Sequence, residues 1–183
     1  MSKVLVGAGN PAATGMAFMA PKGTALPTTP SEALSADWVE IGAVGEDGLT
    51  LTPPNGDVLR NWALIAERKI NTENGKLSVP FIYTTQKVLE VCFGANNVEH
   101  IAADSTHGNI DGVTLSPDVS ADACAFLFKM KDGDKLGYIG SSDALITEIA
   151  DVTFNASTPA TWNTTIDGTW TFKLDDGQIA SGS

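Results

Sequence analysis

His100, Asp104 and His107, in the run HIAADSTH, have the best claim to chemistry in this chain. On a helix, positions i, i+4 and i+7 share one face, so these three side chains could present ligands to a metal ion. The flanking residues argue against a helix. Gly94, Asn96 and Asn97 precede the run, and Gly108, Asn109, Asp111 and Gly112 follow it, which reads as strand and loop. The chain has only these two histidines, so no further imidazole can complete a site. The expectation is two exposed loop histidines and no metal. Asp132, Asp134 and Lys135 sit in a short turn that offers too few oxygens for calcium. A nucleophile would need a base oriented by a carboxylate beside it, and Cys92 lies instead on an apolar stripe. The glycines of GAGNPAATG do not have phosphate-loop spacing, and no strand precedes them. A protein without catalysis, cofactor or metal is expected.

Composition narrows the class further. The chain has 183 residues, 43% of them hydrophobic, with 11 basic against 22 acidic residues and a net charge of −11. That is enough for one domain with a real core and for extended appendages beside it. A surface this acidic repels nucleic-acid phosphate, which argues against gripping DNA but allows DNA to slide past. Cys92 and Cys124 both lie in apolar contexts and are expected to be reduced core residues. The N-terminal apolar run is broken by Gly7, Gly9, Asn10 and Pro11, so it does not read as a signal peptide. No apolar run approaches the roughly 20 residues of a membrane helix. A soluble protein, intracellular when made, is expected.

The elements that would position any site are mostly strands. In LSVPFIYTTQKVLEVCFG (residues 77–94), Leu77, Val79, Phe81 and Tyr83 alternate with Ser78, Pro80, Ile82 and Thr84, as in a half-buried strand. Pro80 places that part of the strand at an edge or bulge. The period then becomes helical through Thr85, Val88, Leu89, Cys92 and Phe93. Thr84 or Thr85 can cap this helix and Gly94 can end it, giving one helix over about residues 84–93. Asx-Gly pairs at 47–48, 55–56, 74–75, 111–112, 132–133, 167–168 and 176–177 punctuate the rest as turns. Further strands are expected at 38–41, 49–52, 64–71, 76–83, 110–115, 123–131, 135–139, 144–155, 161–166 and 169–174. Two hairpins are expected: 64–71 with 76–83 around TENG, and 123–131 with 135–139 around KDGDK. Residues 53–63 read as a long polar loop carrying Trp62.

Residues 1–35, rich in Ala, Gly, Pro and Thr, read as an extended arm rather than a folded element. The division expected is therefore an arm at 1–35, a β-sandwich at 36–175 and a flexible tail at 176–183. Met16, Phe18 and Met19 are costly to leave in water, so this part of the arm can order against a neighbour. The regular spacing of short strands indicates a mainly β sandwich or barrel with one helix attached.

Ordered in this way, the chain resembles the major tail proteins, or tail tube proteins, of long-tailed bacteriophages. The resemblance spans about residues 18–170. It starts with AFMAPKGTALP and WVEIGAVGEDGLTLTP, through Pro21, Gly23, Thr24, Leu26, Pro27, Trp38, Gly42, Glu46, Asp47 and Gly48. It continues through Trp62, Thr72-Glu73, VLEVCFG ending at Gly94, the KDGDK strand pair and the near-terminal IDG. Many relatives carry an acidic residue where this chain has Tyr83-Thr84-Thr85. The resemblance implies a sandwich-like domain, of a fold shared with type VI secretion tube proteins. It also implies self-association into rings, usually hexameric, that stack into a hollow conduit for genome ejection.

The implied partners are other copies of the chain, the tape measure, tail terminator and baseplate proteins, and viral DNA passing without specific binding, with no membrane. The implied location is the virion tail, and the host cytoplasm during assembly. Phe18 and Met19 of the arm, Asn55, Gly56 and Trp62 of the long loop, and Glu73 are the residues expected to carry self-assembly contacts. The 64–83 hairpin is expected to face the lumen or the seam within a ring. Removing residues 1–20 is then expected to leave a folded monomer that does not polymerise. The rival reading is a monomeric carbohydrate-binding or adhesin-like β-sandwich with Trp38, Trp62, Trp162 and Trp170 as a sugar platform.

Overall fold

The computed structural model describes residues 16–45, 47–54, 57–60, 67–70, 74–132, 135–155, 157 and 160–175, with backbone alone for 57–60, 67–70 and 132. Across this range the chain is mainly β, with one α-helix and sheets that do not close, consistent with the sandwich-like architecture expected. In chain order the strands are β1 (Met16–Pro21), β2 (Val39–Ala43), β3 (Thr50–Thr52), β4 (Asp57–Arg60), β5 (Glu67–Ile70) and β6 (Gly75–Phe81). Helix α1 (Gln86–Phe93) follows, then β7 (Val98–Ile101), β8 (Ile110–Val113), β9 (Cys124–Asp132), β10 (Lys135–Ile149), β11 (Trp162–Gly168) and β12 (Thr171–Asp175).

Eight strands form one antiparallel sheet in the order β2-β1-β9-β10-β11-β6-β3, with β12 also on β10. The long β10 joins its two halves. Residues 135–140 lie between β9 and β12, and residues 144–149 pair with β11. A register shift between Ser141 and Ala144 marks the change of partners. Gly168 lies opposite this shift, where a Cβ would come 2.7 Å from the Cβ of Ala144, so the crossing needs a glycine.

Two apolar layers follow from alternation. Ala17, Ile41, Leu77, Val79, Phe81, Phe126, Phe128, Ile139, Ile146 and Ile166 meet Val88, Leu89, Val91 and Cys92 of α1 in the main core. The opposite face of β1, β9 and β10 carries Ala20, Ala125, Leu127 and Tyr138, covered by Leu26, Leu34 and Trp38. Residues 124–128 of β9 are thus buried on both sides, as the unbroken run CAFLF requires. The Tyr138 hydroxyl donates to the Pro27 carbonyl at 2.6 Å, fastening the covering segment. Tyr138→Phe should cost about 1 kcal/mol or slightly more, lowering Tm by roughly 2–6 °C. A melting curve unchanged from the parent would remove this anchor from the account.

The helix matches its expected limits closely. Thr85 is the N-cap, its Oγ1 accepting from the Val88 N–H at 3.2 Å, and Gly94 ends the helix at φ +85°. A Cβ at Gly94 would lie 2.7 Å from the Ser120 carbonyl, so both conformation and space require glycine. Pro80 lies beyond the last residue that β3 pairs, Ser78, and its carbonyl accepts instead from the Gly45 N–H at 2.8 Å. The KDGDK hairpin also forms, with Lys135 opposite Asp132.

Several expectations are corrected. Among the described residues the hairpin of 64–71 with 76–83 does not form: β5 pairs with β4, while β6 pairs with β11 and β3. TENG carries a local turn signal, but burial of Leu77, Val79 and Phe81 selects distant partners for β6. Residues 53–63 are not all loop, since Asp57–Arg60 is a strand. The strands expected at 135–139 and 144–155 are one strand, β10, which ends at Ile149 and not at 155.

Residues 16–21, read as part of an arm, form a strand paired on both sides, by β2 and β9. Ala17 and Ala20 are buried, which accounts for the shortage of polar residues in MAFMAP. The truncation of residues 1–20 therefore cannot be expected to leave a folded monomer.

Candidate assembly surfaces

In a sheet that does not close, the free edges are the first surfaces to consider. Among the described residues β2, β3 and β12 each have one sheet neighbour, so each presents an unpaired side, although the end of β2 meets β6, where the Ala43 carbonyl accepts from the Ile82 N–H and Val44 bridges Phe81. Exposed apolar side chains lie on these strands: Val39 on β2, Leu51 on β3, and Phe172 and Leu174 on β12. Phe172 is opposite Ile139, whose other neighbour is Phe128, so the row begins in the core and ends 49% exposed at β12. Such rows normally continue into a partner.

A second surface is the β7–β8 hairpin, which packs Val98 and Val113 against the core and leaves the Ile101–Ile110 pair exposed. Both histidines lie here. His100 Nδ1 is 2.6 Å from Asp111 Oδ1, its cross-strand neighbour. His107 Nε2 is 3.4 Å from Asp104 Oδ2. Asp104 closes a tight turn by accepting from the Thr106 hydroxyl and the backbone N–H groups of Thr106 and His107. The Thr106 bonds come first in holding its carboxyl below the usual carboxylate range. That turn gains stability above the ordinary Asp pKa and loses it as pH falls through the lowered value. Among the described residues no group of three or more His, Cys, Asp or Glu is placed to hold a metal.

The third surface is the β4–β5 ribbon. It forms its own two-stranded sheet, Asp57 opposite Ile70 through Arg60 opposite Glu67, and among the described residues it is not joined to the main sheet.

The expected assembly residues fall in two groups. Phe18 and Met19 are half-buried in β1, Phe18 against the Trp38–Tyr138 cluster and Met19 against the main core. Asn55, Gly56, Trp62 and Glu73 lie outside the described residues, although they flank or interrupt the ribbon. Of the sugar-platform tryptophans, Trp38 and Trp162 are 8% and 7% exposed. The Trp162 Nε1–H donates to Thr84 and that of Trp170 to the Gly75 carbonyl. These three serve the fold, and Trp62 lies outside the described residues.

Cys92 and Cys124 are both buried free thiols, and burial pushes each up to about 12, with the Asp122 charge adding to the effect at Cys124. Thiolate is the reactive form. The folded chain should therefore react negligibly with a disulfide reagent at pH 8 and release two thiols in denaturant. Rapid reaction of either in the folded state would contradict their placement.

No helix among the described residues is long and apolar enough to cross a membrane. The described residues thus give an open β-sheet with free edges, exposed apolar side chains along them and a separate ribbon. In a comparison with family models, residues 8–162 match the phage tail tube protein family. The chain belongs to that family of structural proteins and is a component of the phage tail. No curated protein matches it.

Proposed function

We propose that this chain is the repeating subunit of the tail tube, self-assembling into stacked rings, hexameric by resemblance, around a channel for DNA ejection. Family membership over residues 8–162 carries the reading. The open sheet supports it, because strands with unpaired sides invite pairing between copies. The net charge of −11 supports a lining that DNA does not stick to. The mechanism is geometric: a fixed bore, weak affinity for phosphate, and no turnover.

In this reading the region of Asn55, Gly56, Trp62 and Glu73 carries contacts between copies. Phe18 and Met19 contribute only through the part of each side chain outside the core. Tape measure, terminator and baseplate proteins would meet the tube at its lumen and ends, and assembly would proceed in the host cytoplasm. Immunogold labelling of intact virions with antibody to this chain tests the role. Labels along the whole tail are expected. Labels confined to one end would assign it to tail completion and overturn the tube reading.

A further inference from the structure

The unpaired strand sides are not equally open to a further strand. The end of β2 is met by residues 82–85: the Ile41 carbonyl accepts from the Thr85 hydroxyl at 3.3 Å and the Ala43 carbonyl from the Ile82 N–H. β3 has three residues and runs into Pro53 and Pro54, which have no N–H to offer. Beyond Ala144, β10 is no longer paired by β9, and there its register shifts between Ile146 and the exposed Glu148. β12 has none of these guards. Its five residues pair with β10 in unbroken register, and Phe172 and Leu174 stay 49% and 43% exposed along it. Lys173, a residue type that guards edges, is turned instead to the Thr28 carbonyl at 2.9 Å.

The edge has a specific pattern. Phe172 continues the row Phe128–Ile139, and Leu174 lies over Gly137 toward Met130. A strand added outside β12 would match it with apolar side chains at two alternate positions and a basic group opposite Asp175. Outside the described residues, the stretches of five or more residues are 1–15, 61–66 and 176–183. Residues 61–66 join β4 to β5, and 176–183, DGQIASGS, holds one large apolar residue. Residues 3–7, KVLVG, carry the pattern, with two β-branched valines two apart and a lysine before them.

We propose that residues 3–7 of one copy add to β12 of a second copy as an antiparallel strand. Lys3 then lies opposite Asp175, Val4 opposite Leu174, Leu5 opposite Lys173 and Val6 opposite Phe172. The pairing rests on the self-assembly reading above and names the segment and the edge that meet. Both lie outside residues 8–162, the span that matches the family.

The geometry favours a second copy over the same chain. In its own chain the added strand would end with Gly7 beside Thr171, while β1 begins at Met16, three strands away in the row Lys173–Tyr138–Lys129–Met16. Residues 8–15 would have to cross β12, β10 and β9 over one face. One face is packed in the main core, and the other lies under Leu26, Leu34 and Trp38. A neighbouring copy imposes no such crossing. The contact is head-to-tail, so it propagates from copy to copy instead of closing a two-fold dimer.

Disulfide trapping in the full chain tests it, with the buried Cys92 and Cys124 out of reach of the exchange. A V4C chain and an L174C chain, mixed one to one under assembly conditions and mildly oxidised, should give covalently linked pairs. Replacing V4C by L5C, which faces the other side of the strand, should lower the yield at least fivefold. Equal yields would mean unspecific collision and would overturn the register. A link that forms only when V4C and L174C are in one chain would show the segment folding back on its own edge, and would overturn pairing between copies. No link in a parent chain that sediments as assembled particles would overturn the pairing alone, whereas a parent that never assembles would sink the self-assembly reading first. Should L174C fail to fold, V6C with F172C makes the same test. Deleting residues 1–7 should keep the melting transition and cut the assembled fraction at least tenfold, and unimpaired assembly would overturn the proposal.

Discussion

Removing residues 1–20 is expected to abolish cooperative folding. The deletion takes Met16–Ala20 of β1, which is hydrogen-bonded to β2 on one side and β9 on the other. It strips Ala17 and Met19 from one core and Phe18 and Ala20 from the second. β2 would lose its one sheet neighbour among the described residues, and β9 would become an exposed edge. The combined loss of ladder and burial is on the order of the roughly 5–15 kcal/mol by which whole domains are stable. Circular dichroism should show no sharp melting transition, and the chain should be largely insoluble. Removing only residues 1–15 leaves β1 in place and should preserve the transition. A folded, soluble product from the 1–20 deletion would show that β1 is dispensable.

Phe126→Ala is expected to cost about 3–5 kcal/mol. Phe126 has no exposed surface and stacks on Phe128 with ring centroids 6.2 Å apart and planes 6° from parallel. It pairs with Met19 of β1 and with Ser141 of β10, at the point where β10 passes between the two halves of the sheet. The cavity therefore opens where both halves and α1 share a core, so neighbours can collapse into it only partly. Denaturant titration should show a lower midpoint with little change in slope. A loss below about 1 kcal/mol would mean that this layer is loosely packed.

The sequence showed clearly those elements whose signals are local. The change from period 2 to period 3.6 at Thr84–Thr85, with Gly94 as a stop, located α1 almost to the residue. Strand β1 was hidden because both of its faces are covered, which erases the alternation that marks a half-buried strand. Its neighbours in sequence, rich in Gly, Ala and Pro, look like linker. β4 was concealed by Pro53, Pro54, Asn55 and Gly56, which punctuate the chain just before it. A hairpin over 64–83 does not follow from TENG, because a turn motif specifies a bend and not a pairing, and long-range burial decides the partner of β6. The candidate surfaces were only partly legible. The exposed Phe172 and Leu174 become an edge row only once β12 pairs with β10.

The account turns on copies of this chain forming a tube, and electron microscopy of the purified full-length protein at high concentration tests that most directly. It predicts hollow, regularly banded tubes, or rings with an open centre in end view. Particles that stay monomeric, even after mixing with the tape measure and baseplate proteins, would contradict it.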